Sequence, residues 1–126
     1  LEEYNADYRQ IFLDGRALPD DPTPSWKGYS VGRWEGDTLV VDSIGFRDDL
    51  WLDLRGSPLT SAGKVRERLT RPDFGHLNIE VTVDDPKAYT RPWTVRLQQQ
   101  IIADTEIIDE ICLENEKFMR RLRGMP

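Results

Sequence analysis

Nine residues constrain this chain more than any others. From His76 to Asp84 it reads HLNIEVTVD, so that Leu77, Ile79, Val81 and Val83 alternate with Asn78, Glu80, Thr82 and Asp84. Successive side chains of a β-strand point to opposite faces, so a period of two means a strand with one oily and one wet side. Such a strand is not stable alone. It predicts a sheet of several strands, with its apolar face covered.

The same alternation recurs at hairpin spacing. Lys27 to Trp34 (KGYSVGRW) puts Gly28, Ser30, Gly32 and Trp34 on one face and Tyr29, Val31 and Arg33 on the other. The glycines leave room for a close neighbour. Glu35-Gly36-Asp37 reads as a hairpin turn, and Thr38 to Ile44 returns antiparallel. Leu39, Val41 and Ser43 then share one face, and Val40, Asp42 and Ile44 the other. Lys64–Thr70, Trp93–Ile102 and Thr105–Leu113 supply further strands, and Tyr8–Leu13 a short one ending at the turn Asp14-Gly15. Trp93, Val95 and Leu97 are expected to face inward. Residues 16–25 hold three prolines and two adjacent aspartates, an extended loop with no ladder of its own. Residues 45–63 form the longest irregular segment, with room for a helical turn around Asp48 to Leu54. Asn115–Arg123 reads as a short helix or a basic tail.

About seven strands with no helical pattern between them predict one all-β domain over residues 1–126. The expected architecture is an antiparallel up-and-down barrel or sandwich, lipocalin-like. Closing a barrel from so few strands takes one more, from upstream sequence, from Tyr8–Leu13 or from a second subunit. Leu1 is not an initiator methionine, so the expectation is that the chain starts inside a longer protein.

Charge narrows the function. The net charge is −6, which argues against nucleic-acid binding, since neutralising phosphates needs a basic field. The basic cluster Lys117, Arg120, Arg121 and Arg123 reads as a solvated tail. Cys112 is the sole cysteine, so no internal disulfide forms, and it reads as a small core residue. One histidine, His76, cannot build a His-rich metal site. No phosphate loop, dinucleotide motif or CxxC pair is present. No metal or cofactor is expected, and no apolar run reaches membrane-spanning length.

The informative positions are polar residues on apolar strand faces. Asp42 sits between Val40 and Ile44, Glu67 between Val65 and Leu69, and Glu110 shares a face with Ile108 and Cys112. A buried carboxylate has to be paired, hydrogen-bonded or neutralised, so these are either structural ion pairs or working acids. Asp48, Asp49 and Asp53 beside Trp51 lack the glycine and terminal glutamate of a calcium loop and read as a solvated acidic loop. Trp51 and Trp93 are either stacking platforms or core residues. The candidate ligand contacts are Tyr29, Asp42, Trp51, Asp53, Glu67, Trp93 and Glu110. The preferred reading is a binder of a small apolar or aromatic molecule in a barrel cavity, with residues 45–63 as a lid. The alternatives are a small lyase, isomerase or cyclase using an inward carboxylate as general base, and a structural or interaction module pairing through a strand edge, for example as a homodimer.

Several runs together carry a resemblance. YRQIFLDGR (Tyr8–Arg16), WKGYSVGRWEGDTLVVDSIGF (Trp26–Phe46), WLD (Trp51–Asp53), ERLTR (Glu67–Arg71), TVDDPKAYTRPWTV (Thr82–Val95) and ENEK (Glu114–Lys117) resemble a family of uncharacterised bacterial proteins. The resemblance covers nearly the whole chain. It implies exported or periplasmic proteins that begin upstream with a signal peptide and further strands. Many members read Gly-x-Pro-His-Ser where this chain has Gly56-Ser57-Pro58-Leu59-Thr60, a departure that puts in doubt, for this chain, any mechanism relying on that histidine. The resemblance implies no particular reaction.

Overall fold

A computed structural model describes residues 7–106. By compactness the chain divides into Gln10–Ile101, which holds the sheet, and a second unit formed by Leu1–Arg9 with Ile102–Pro126. The described residues are all-β, with eight strands and no helix. In chain order these are β1 (Ile11–Phe12), β2 (Tyr29–Glu35), β3 (Thr38–Ile44), β4 (Leu50–Trp51), β5 (Pro58–Leu59), β6 (Lys64–Thr70), β7 (His76–Asp84) and β8 (Trp93–Gln100). Six strands make one sheet in the order β1-β2-β3-β6-β7-β8, and β4 pairs with β5 as a separate two-stranded hairpin. Every pairing is antiparallel except β1 with β2, which is parallel. The sheet is therefore mixed, and β1 and β8 are its edges among the described residues. No closed barrel is formed there.

Local chemistry explains the long strands. Glu35 pairs with Thr38 across Gly36-Asp37, and Gly36 takes φ 60°. That positive φ is what a two-residue hairpin of type II′ demands of its first central residue. The β6–β7 turn is tied by Asp73, which accepts from the Gly75 amide (2.8 Å), and by Arg71, which donates to the Asp73 and Phe74 carbonyls. The β3–β6 connection is filled by the small hairpin, where a helical turn had been allowed. Asp53 ends that hairpin by accepting from the Arg55 and Ser57 amides and from Ser57 Oγ.

Pairing register sorts the side chains onto two faces. Ser30 opposes Ser43, Gly32 opposes Val41, Val41 opposes Glu67 and Glu67 opposes Val81. This apolar face also carries Val65, Leu69, Ile79, Val83, Trp93, Val95 and Leu97, as the alternation predicts. The polar face carries Tyr29, Arg33, Val40, Asp42, Ile44, Lys64, Arg66, Arg68, Glu80, Thr82, Asp84 and Arg96.

The core lies at one end of the apolar face. Phe46, Leu59, Val65 and Val83 form its buried centre, with Leu50, Leu52, Val81, Tyr89 and Trp93 packed around them. Beyond it the cover thins, and Val95 and Leu97 are 39% and 51% exposed. The expectation that both point inward holds for direction and fails for burial. At β3 both faces are covered, because Val40 and Val41 are each fully buried. Part of that cover is β1. A Cβ on Gly32 would lie 2.6 Å from Leu13 Cδ2 and 3.0 Å from Ile11 Cγ2, so the glycine admits the edge strand. Only Ile11–Phe12 of the predicted Tyr8–Leu13 strand pairs, in parallel, so the simple up-and-down order fails at that edge. Thr105 and Glu106 lie outside any strand. The rest of the predicted last strand, the 115–123 helix, Glu110 and Cys112 lie outside the described residues.

Candidate functional site

The loop segment 45–63 and the β7–β8 loop meet over the core. Asp85 joins them. It is 1% exposed, and its carboxylate accepts from the Thr60 amide (2.6 Å), Thr60 Oγ1 (2.9 Å), the Lys87 amide (3.0 Å) and the Ala88 amide (3.3 Å). Burial alone would raise its pKa, but the hydrogen bonds from Thr60, Lys87 and Ala88 outweigh that and hold the carboxyl below its ordinary value. Asp48 accepts from the Ser61 amide, and the Tyr89 hydroxyl donates to the Pro58 carbonyl. Leu59 is buried beneath these contacts. The Thr60–Asp85 and Tyr89–Pro58 bonds thus fasten residues 45–63 to the β7–β8 loop, and a swinging lid would have to break them. Asp53 is used in its own turn, and Trp51 is 70% exposed. Trp93 joins the core and meets the Tyr89 ring edge-on at 5.4 Å, with its indole nitrogen buried and without a hydrogen-bond partner.

The other concentration of chemistry is on the polar face. Asp42 lies between two arginines: Arg33 Nη1 donates to Oδ2 at 2.8 Å and Arg66 Nε to Oδ1 at 2.6 Å. Its side chain is 18% exposed. Burial pushes its pKa up, yet the two guanidinium bonds more than offset this and the carboxylate stays ionised. The ionic row continues outward. Glu35 accepts from Arg33 and Arg68, and Glu80 accepts from Arg96.

Beside Asp42 a groove of about 390 Å³ opens along β3, β6 and β7. Ile44 and Thr82 form its floor, Leu18 and Pro92 contribute apolar walls from the adjoining loops, and Lys64, Arg66 and Asp84 stand around it. Beyond its bond to Asp42, the Arg66 side chain makes no further hydrogen bond among the described residues, and the Lys64 and Asp84 side chains make none with each other although they are cross-strand neighbours.

The structure does not gather the predicted ligand residues into one cavity. Asp42 and Glu67 lie on adjacent strands, but Asp42 opposes Arg66 while Glu67 opposes Val41, so the two acids are on opposite faces of the sheet. Alternation within each strand was legible; their shared interior was not, because it depends on the β3–β6 register. Tyr29 is on the polar face, stacked on Phe12 at 5.1 Å and bonded to Arg16. Trp51, Asp53 and Trp93 belong to the fastened loop end. Asp85 was missed, although an aspartate opening a Pro-bounded turn is a recognisable staple for following amides. Lys64 and Arg66 were not singled out by the sequence, since nothing local marks them.

Every described carboxylate with a displaced pKa is displaced downward, Asp42, Asp53 and Asp85 among them. No group of three His, Cys, Asp or Glu among the described residues is arranged to hold a metal ion. No helix among them is long and apolar enough to cross a membrane. The architecture places the protein in the all-β class, as a mixed sheet capped at one end and grooved on its polar side. Comparison narrows it no further: no family model, curated protein or solved structure matches the chain.

Proposed function

We propose that the protein binds a small amphipathic molecule in the polar-face groove, with the apolar body on Leu18, Ile44 and Pro92 and the polar end toward Arg66. The observation that carries this is the groove itself, whose apolar walls beside charged groups suit a small amphipathic ligand, as does its volume of about 390 Å³. The acid–base alternative lacks such support. A general base or acid working near neutrality needs a pKa brought toward 7, and that of Asp42, the carboxylate beside Arg66, is moved the other way. The lipocalin-like form of the reading, with a ligand inside a closed barrel, additionally requires β1 and β8 to be joined. The test is chemical-shift mapping of ¹⁵N-labelled protein against a set of small aromatic and alkyl compounds. Shifts should cluster at Ile44, Lys64, Arg66 and Thr82, and Ile44→Trp, which fills the floor, should remove them. Shifts confined to the apolar face, or unchanged in Ile44→Trp, would defeat the reading.

A second reading, pairing through a strand edge, is favoured by β8. Its eight residues are in unbroken register with β7 and carry no proline, lysine or bulge, the usual protections of an edge. Two copies of β8 paired antiparallel about Leu97 would bring Leu97 to Leu97, Trp93 to Ile101 and Arg96 to Gln98, with no like charges opposed. Light scattering should then show a dimer that Leu97→Lys dissociates; a monomer at every concentration removes this reading.

A further inference from the structure

The charged groups of the groove are unequally engaged, and the inequality says what its ligand carries. We infer that the ligand is an organic acid: a carboxylate held by Arg66 and Lys64, with an aromatic or alkyl body on Leu18, Ile44 and Pro92. The inference rests on the groove being the binding site.

Three observations support it. First, the groove is lined by two cations, Lys64 and Arg66, and two anions, Asp42 and Asp84, and of these Asp42 is already shared between Arg33 and Arg66. Both Asp42 oxygens are engaged, one by each arginine, which leaves that carboxylate little capacity to attract a cationic ligand. Second, Arg66 spends only its Nε on Asp42. Its two terminal nitrogens remain, and that pair is the end of a guanidinium that grips a carboxylate through two parallel bonds. Third, Lys64 lies two residues from Arg66 on the same strand face, so both side chains project over the same groove wall. Asp84 faces Lys64 across the β6–β7 pairing without bonding to it, whereas Arg66 faces Thr82, a neutral residue. The carboxylate site is therefore on the Arg66 side, and the floor of Ile44 and Thr82 begins next to it.

A matched set of three probes tests this on the whole chain: 4-phenylbutyrate, 4-phenyl-1-butanol and 4-phenylbutylamine, which share one body and differ in the head. Affinity is read by shift titration at Ile44 and Thr82. The acid should bind about tenfold more tightly than the alcohol, on the scale of a charge-assisted hydrogen bond, and its affinity should fall as salt is raised. The amine should bind no better than the alcohol. Lys64→Gln removes an exposed side chain with no bonded partner, so the fold is kept; it should weaken the acid and leave the alcohol unchanged. Arg66→Gln should weaken the acid further, with its folding checked by the dispersion of the amide spectrum. Equal binding of acid and alcohol, or tighter binding of the amine through Asp84, overturns the acid while leaving the groove as a site. No groove shift with any of the three removes the site, and the acid with it.

Discussion

Replacing Asp85 with asparagine tests whether the loop end is held by an ionised carboxylate. The change is nearly isosteric, so packing is kept. In the native protein Oδ2 accepts from the Thr60 amide, while Oδ1 accepts from Thr60 Oγ1 and from the Lys87 and Ala88 amides. Asparagine can present its one oxygen to the larger group, and its NH₂ then confronts the Thr60 N–H donor to donor. One charge-assisted bond is lost, at about 1.5–3 kcal/mol, and one amide in a covered site is left unsatisfied, at about 1–3 kcal/mol. The expected loss is about 3 kcal/mol, or roughly 10–20 °C in Tm for a unit of this size. Urea unfolding followed by tryptophan fluorescence measures it. The pH dependence supplies a second readout. The folded carboxyl is held below the ordinary 3.8, so in acid the unfolded chain binds more protons and stability rises with pH there. The Asp85 contribution is complete above the unfolded value and is lost as pH falls through the folded one. The gap between wild type and Asp85→Asn should therefore close on acidification. A loss below about 0.5 kcal/mol, the scale of an ordinary surface change, would refute the reasoning, and so would a gap that persists unchanged in acid.

Other substitutions separate the remaining contacts. Gly32→Ala should destabilise by about 1–3 kcal/mol, because the added methyl meets the Leu13 and Ile11 side chains, which must shift to admit it; amide exchange at Ser30 would report the loosening of β1. Asp42→Asn should cost about 1 kcal/mol, since it leaves Arg33 and Arg66 facing each other without their shared counter-ion in a half-exposed place; the loss should shrink in high salt. Trp51→Ala should change stability by less than about 0.5 kcal/mol, as expected for a largely exposed side chain outside the core.

What a strand could say for itself was legible. The alternation of His76–Asp84 gives β7 with both faces assigned as predicted, and the Glu35-Gly36-Asp37 signal gives the β2–β3 hairpin. The glycines of Lys27–Trp34 announced a close neighbour, and Leu13 and Ile11 over Gly32 fill that role. These succeed because side-chain direction and turn geometry are decided within a few residues. The carboxylates were harder. Asp42 was marked as constrained by Val40 and Ile44, but its partners Arg33 and Arg66 come from two other strands.

Sequence alone therefore determined the class of this protein: period-two patterning, turn residues and the lack of helical periodicity admit little but an antiparallel-rich sheet. The tertiary structure decided everything that depends on two segments meeting. It put Asp42 and Glu67 on opposite sides, turned β1 parallel, spent Asp85 on the Thr60 amide, and brought Leu18, Ile44, Arg66 and Pro92 around one groove. The physical reason is register: sliding one strand by a single residue exchanges its two faces, and no residue within the strand records which alignment its neighbour takes.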